Sequence, residues 1–248
     1  MDIKNKTTRR ALLGAVGATV AGGGIAYGVL NPQDNRASGG KVSPPVSVNM
    51  YRSDAKLTSG IDLARKPVMG STDADLDVYY WSDFQCPFCN RFEQNTFPKL
   101  IREHVKTGDA RVVFIEFPYI GDASMTGAVA AKCVWRQVRE ESPETYWAWH
   151  SEVFDAQEKP NSGWLTREKL VGIAARVPNL DRQKVESCLS STRESLVKEV
   201  QEEMARAKSF GVRGTPAFVF YNPQTEKAGK LVGAQPYDRF QSAIENLQ

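Results

Sequence analysis

The chain has 248 residues, 41% apolar and 25% charged, which is ordinary for a soluble globular protein and enough to bury a proper core. Its net charge of +3 sits in the first 30 residues, where Lys4, Lys6, Arg9 and Arg10 stand against Asp2, and the remainder balances 28 basic with 28 acidic residues. A neutral folded part argues against a nucleic-acid or polyanion partner, and the basic excess belongs to a targeting segment.

Thr7-Thr8-Arg9-Arg10-Ala11-Leu12-Leu13 precedes an uncharged run to Leu30, the layout of an export signal. The paired arginines resemble a twin-arginine signal, and six glycines and five alanines make the run weakly apolar, which fits such a signal better than a stable membrane helix, although its 20 residues are just enough to span a bilayer. No clear cleavage site follows Leu30, so residues 1–30 are read as an export signal or an N-terminal membrane anchor. An ordinary secretory signal carrying two arginines is the plainer alternative. Residues 31–57, with Pro32, Gly39, Gly40, Pro44 and Pro45, read as a flexible tether, and residues 58–248 as the folded domain.

Asp77-Val-Tyr-Tyr-Trp81 predicts a buried strand, rich in β-branched and aromatic residues. A turn at Ser82–Gln85 leads to Pro87, suited to the first position of a helix that runs to about Val105 and is kinked or split by Pro98. Arg111–Phe117 predicts a second strand. From Ala123 to Ser209 the pattern is helical, divided by Pro143, Pro160, Gly163 and Pro178. Ala217–Tyr221 and Lys230–Val232 predict two further strands, and Tyr237–Leu247 a terminal helix. Strands alternating with helices point to an α/β fold.

The four cysteines fall into one Cys86-Pro-Phe-Cys89 motif and two isolated residues, Cys133 and Cys188. Disulfide exchange needs an attacking thiolate and a second thiol nearby, and the motif sits where a strand meets a helix. There Cys86 would have the unpaired N–H groups and the dipole of the helix N-terminus as thiolate stabilisers, with Cys89 one turn inside as the resolving thiol. Arg91 would assist the thiolate, and Asp83 and Glu93 would oppose it if close. The competing readings are half of a zinc site and a small structural disulfide. Zinc lacks a second ligand pair, because Cys133, Cys188, His104 and His150 show no paired spacing. Thiol exchange calls for no cofactor and no metal.

Trp81-Ser-Asp-Phe-Gln-Cys-Pro-Phe-Cys89, Phe97-Pro-Lys-Leu100, Gly214-Thr-Pro216 and Val232-Gly-Ala-Gln-Pro-Tyr237 together resemble the DsbA-like branch of the thioredoxin superfamily from about Pro67 to the C-terminus. Tyr146–Phe154 resembles that family's inserted helical domain. The resemblance implies a thioredoxin fold with a helical insertion at about 120–209. It implies a cis-proline loop at Thr215-Pro216 beside Cys86, where the Thr215 backbone pairs with an extended substrate; an ordinary trans turn is the alternative. It matches Cys133 and Cys188 to positions of a structural disulfide, worth roughly 3–4 kcal/mol, against two buried free thiols. The family's usual carboxylate six residues before the first cysteine is replaced by Tyr80, so either Glu116 or water serves Cys89 or its deprotonation is slower. Phe88 replaces a histidine, which implies a less oxidising site, and Phe84 and Phe88 are candidates for an apolar patch that meets unfolded chains, with core packing the equal alternative for Phe84.

The leading expectation is an extracytoplasmic oxidase that donates the Cys86–Cys89 disulfide to reduced exported proteins. By the resemblance, a membrane quinone-linked oxidase of the DsbB or VKOR type recharges it. The alternatives are a reductase or isomerase on the same fold, or a non-catalytic binding or chaperone module.

Overall fold

The computed structural model describes residues 47–54, 61, 63 and 65–248; the export segment and most of the predicted tether lie outside the described residues. Among the described residues six strands form one sheet in the order β1-β2-β4-β3-β5-β6. The central pair is parallel: β3 (Leu76–Ser82) runs beside β4 (Ala110–Glu116), with Val78 opposite Val112 and Trp81 opposite Ile115. Every residue of β3 is buried, which explains its continuous apolar run, since a central strand is covered on both faces. β5 (Ala217–Tyr221) and β6 (Ala228–Val232) add antiparallel strands on one side. β2 (Val68–Met69) and β1 (Met50–Tyr51) do so on the other.

β1 corrects the expected domain boundary, because Met50 lies inside the stretch read as tether yet is buried and paired to Met69. A two-residue strand has no periodicity to announce it. Its place comes from the sheet edge, where the Gly70 N–H donates to the Asn49 carbonyl and the Asn49 amide donates to that of Gly70.

Alternate residues of the central strands feed two cores. Leu76, Val78 and Tyr80 join Val112, Phe114, Phe218 and Phe220 in the larger one, which also takes in the helices after β3 and β4 and the C-terminal helix. Tyr79 and Trp81 join Val113, Ile115, Ala217 and Tyr221 beneath Ala207 and Val212.

The helical stretch after β3 is divided as Pro98 suggested, and in a specific way. α1 (Pro87–Arg91) passes into a π-helical turn at Phe92–Thr96, then α2 (Phe97–Leu100), then a second π-helical turn at Ile101–Val105. The N–H of Phe97 reaches back five residues to the Phe92 carbonyl. A wider turn directly before Pro98 accommodates a ring that has no N–H to offer.

Five helices separate β4 from β5: α3 (Asp122–Val138), α4 (Glu144–Asp155), α5 (Arg167–Ala174), α6 (Arg182–Ser191) and α7 (Arg193–Ser209). Asp181 caps α6 by accepting from the Gln183 and Lys184 N–H groups, and Thr166 caps α5 by accepting from Lys169. α3 is tied to α6 by a Cys133–Cys188 disulfide closing 55 residues. It is tied to α7 by buried Lys132, which donates to Glu203 at 2.7 Å and lies 3.5 Å from Glu199. Paired buried charges of this kind fix how α7 docks on α3, since either partner left alone would be an uncompensated charge. The chain ends in α8 (Tyr237–Glu245), whose Phe240 and Ile244 face the larger core. Among the described residues no helix is long and apolar enough to cross a membrane.

Candidate active site

Cys86 occupies the N-cap of α1 in extended conformation, with Pro87 at the first helical position. Its carbonyl accepts from the Asn90 N–H, so the helix begins at the cysteine itself. The Cys86 thiol lies 3.3 Å from the Thr215 carbonyl oxygen, and the Thr215–Pro216 peptide is cis. The Gly233 N–H, just past β6, donates to the Pro216 carbonyl at 2.7 Å and holds that loop. Residues 129 positions apart in sequence thus meet at one sulfur.

The two thiols of the motif are free and oppositely perturbed. A hydrogen bond from Cys89 lowers the Cys86 pKa from 9.0 to about 6, against the cost of burial; Thr215 and the backbone N–H groups of Phe88 and Cys89 assist. Burial pushes the Cys89 thiol well above its ordinary value, and the charge on Cys86 adds to the rise. At neutral pH the pair therefore holds one thiolate, on Cys86, and one thiol.

Arg91, expected to assist the thiolate, instead sits over the Phe88 ring, 5.1 Å from its centroid. The two carboxylates expected to oppose it have other work. Asp83 accepts from the backbone N–H groups of Gln85, Tyr119 and Ile120, pinning the turn before Cys86 to the loop after β4. Burial raises the Asp83 pKa, and those donors hold the rise in check. Glu93 turns to the buried ring of His150, Oε1 to Nε2 at 2.9 Å.

A set of neutral amides fastens the redox turn to the helices between β4 and β5. Gln157, just past α4, donates from Nε2 to the carbonyls of both Phe84 (2.6 Å) and Cys86 (3.1 Å), and its own oxygen accepts from Asn90. Gln85 donates to Ser124 and accepts from the Asn161 N–H. Sequence reasoning missed Gln157, Asn161 and Gln85, because an amide in a polar loop carries no pattern. Only the fold shows which carbonyl it meets.

The two phenylalanines weighed as a surface patch part company. Phe84 is 1% exposed against Trp149, His150 and Phe154, a core residue. Phe88 is 50% exposed at the mouth of the site. Tyr119, not singled out from sequence, is also half exposed, and its hydroxyl lies close to Gly214 and Thr215.

Tyr80 stacks on Phe218 (5.1 Å) and packs against Phe92 (5.0 Å), and burial together with the nearby charge of Glu93 raises the pKa of its hydroxyl well above the ordinary value. Glu116, weighed as a partner for Cys89, lies with its Oε1 3.5 Å from the Tyr146 hydroxyl, and burial raises its pKa well above the usual range despite the nearby charge of Lys132. Among the described residues no group of His, Cys, Asp or Glu side chains is placed to hold a metal ion.

A family model described as Thioredoxin matches residues 63–246. A probable disulfide bond formation protein D of Bacillus anthracis is 29% identical over 150 residues, 60% of this chain and 66% of the relative. The protein of that name from Bacillus cereus is 24% identical over 86% of this chain and 87% of its own length. Among solved structures, oxidised BdbD of Bacillus subtilis superposes with a TM-score of 0.63 at 24% identity, over 73% of this chain and 92% of that one. Pseudomonas aeruginosa DsbA2 gives 0.57 at 26% identity, over 73% and 93%. The chain belongs to the thioredoxin family, and within it is a DsbA-like thiol–disulfide oxidoreductase.

Proposed function

We propose that this chain is an exported oxidase that gives its Cys86–Cys89 disulfide to reduced proteins outside the cytoplasm. The opposite displacement of the two thiols carries the reading. A client thiolate attacks Cys86, its sulfur bonds to Cys86 Sγ, and Cys89 leaves and takes up a proton. A second client thiolate then attacks the client sulfur of the mixed disulfide, and Cys86 leaves as a thiolate already stabilised at neutral pH. The more that thiolate is stabilised, the more readily the disulfide is given away.

Thr215, Pro216 and exposed Phe88 form the client-binding surface in this reading, with the Thr215 backbone pairing to an extended chain and Phe88 covering an apolar neighbour of the client cysteine. The Cys133–Cys188 bond has a structural part, bracing α3 against α6. Recharging falls to a membrane quinone-linked oxidase of the DsbB or VKOR type, and delivery to the twin-arginine signal around Arg9 and Arg10, retained or cleaved. Replacing both arginines by lysine is expected to block export, because that signal is read by a receptor rather than by charge. Unchanged export would return the segment to the general secretory class.

The deciding measurement is the redox potential of Cys86–Cys89 against glutathione. A value between those of thioredoxin, about −270 mV, and DsbA, about −120 mV, is expected, because the site has a lowered Cys86 pKa but no histidine at Phe88. A value at or below that of thioredoxin would make the protein a reductase.

A further inference from the structure

Exchange requires the Cys86 sulfur to be held where a client sulfur can approach in line with its bond to Cys89, and a misplacement of about 1 Å can cost about a hundredfold in rate. What holds the sulfur is the backbone beneath it. The N–H of Gln85 is fixed by the Asp83 carboxylate at 2.8 Å, and the N–H of Cys86 by the Asp83 carbonyl at 2.9 Å. The peptide after Cys86 is different. Pro87 has no N–H, so the Cys86–Pro87 peptide can be held only through its carbonyl oxygen. Two donors meet that oxygen: the Asn90 N–H at 3.2 Å, one turn on in the same helix, and the side-chain amide of Gln157 at 3.1 Å, from the loop after α4.

We propose that Gln157 is a positioning residue of the exchange reaction, holding the Phe84 and Cys86 carbonyls so that the Cys86 sulfur stays aligned for attack. The inference rests on Cys86 being the attacked sulfur in the exchange described above. The same Gln157 nitrogen donates to the Phe84 carbonyl at 2.6 Å, so one amide spans the turn from two residues before the cysteine to the cysteine itself. Both contacts are with carbonyl oxygens, which only accept, and this fixes Nε2 rather than Oε1 toward the turn. The amide oxygen is turned to Asn90, whose Nδ2 donates to it at 3.2 Å and to the Phe154 carbonyl of α4 at 3.1 Å. Neutral amides thus close α1, α4 and the redox turn into one hydrogen-bonded ring.

A neutral donor suits this place. A carboxylate there could accept from Asn90 but would face two carbonyl oxygens, close to a sulfur that must carry a negative charge of its own. An apolar side chain would leave both carbonyls without this donor. A Cys86 backbone free to turn would carry its sulfur away from the Thr215 carbonyl, 3.3 Å distant, and from the N–H groups of Phe88 and Cys89 that favour its charge. Alignment and thiolate stability therefore depend on the same amide, and with them the readiness to give the disulfide away. Gln94 supplies the comparison. Its amide donates to Asp155 at 2.8 Å and also ties the stretch after α1 to α4, but at the surface and to a side chain rather than to the redox turn.

The test compares Gln157→Glu, Gln157→Leu and Gln94→Ala with the wild-type protein. Each is measured for the rate at which its oxidised form oxidises a reduced two-cysteine peptide, for the pH profile of Cys86 alkylation by iodoacetamide, and for its melting temperature. Gln157→Glu keeps the shape of the side chain and should slow peptide oxidation at least about tenfold at neutral pH while moving the alkylation profile upward. The redox potential should fall by about 30 mV for each tenfold loss of thiolate stability. Gln157→Leu should show the same changes to a smaller extent, since it removes the donor without adding charge. Gln94→Ala should keep the wild-type rate and profile. Wild-type rate and profile in both Gln157 variants would overturn the positioning role. So would an equal loss in Gln94→Ala, or losses that only follow the melting temperature, because Gln157 would then be a general tie between helices. A wild-type protein that does not oxidise the peptide would overturn the oxidase reading alone, since the alkylation profile still reports how Cys86 is held.

Discussion

The two cysteine pairs are made of the same side chains and behave as different chemical objects. Cys86 and Cys89 flank the first turn of a helix, where the backbone N–H groups of Phe88 and Cys89 favour a charge on the Cys86 sulfur. Cys133 and Cys188 lie in the interiors of α3 and α6, where the backbone N–H groups are already bonded within the helix. Beside the second pair the Thr192 hydroxyl lies 3.2 Å from the Cys188 sulfur. A thiolate is therefore supported at Cys86, while the second pair has only geometry to offer. Position along a helix, rather than residue type, separates exchange from bracing.

The sharpest way to break this comparison is to remove single cysteines from the first pair. Cys89→Ala should leave Cys86 able to attack but unable to be released, so mixed disulfides with client proteins accumulate on non-reducing gels. Cys86→Ala should trap none and lose all exchange activity. A reversed pattern would mean that the nucleophile and the resolving thiol have been exchanged.

Removing the second pair should cost stability instead of activity. Opening a loop of 55 residues is worth about 4 kcal/mol in the chain-entropy account. A Cys133→Ala, Cys188→Ala double variant should unfold at lower denaturant concentration by that amount, yet keep the potential of Cys86–Cys89. A shifted potential would show that the two pairs are coupled through α3. Recovery of both thiols free from protein prepared under oxidising conditions would remove the bracing role.

The smallest expected effect is a pH dependence of the reduced fold, with Cys133–Cys188 kept intact. The Cys86 pKa of about 6 lies below its ordinary 9.0, so the thiolate stabilises the folded form fully above about pH 9 and loses that contribution as pH falls through 6. The raised Cys89 pKa acts only at the alkaline end, where ionisation of the unfolded thiol begins to cost stability. Reducing Cys86–Cys89 should therefore raise the melting temperature most near pH 8, and the gain should shrink toward pH 6. An oxidised form that is the more stable across this range would favour the reductase reading.

Much of this molecule was legible in local chemistry. Burial on both faces leaves β3, β4 and β5 as continuous apolar runs, and Pro87 and Pro98 can sit only where a helix starts or is distorted. The Cys86–Cys89 spacing across a strand-to-helix junction already identified the chemistry, because the helix N-terminus that favours a thiolate is itself a local feature.

The tertiary structure decided what depends on chain segments meeting. It sent Arg91 to Phe88 and Glu93 to His150, and it put Phe84 in the core while leaving Phe88 outside. Gln157 became an anchor for the Cys86 carbonyl, and Met50 became part of the sheet. None of these follows from periodicity or propensity, since a polar side chain chooses its partner by what long-range packing brings within about 3 Å. The sequence by itself determined where a thiolate would be made; the fold decided which groups surround it.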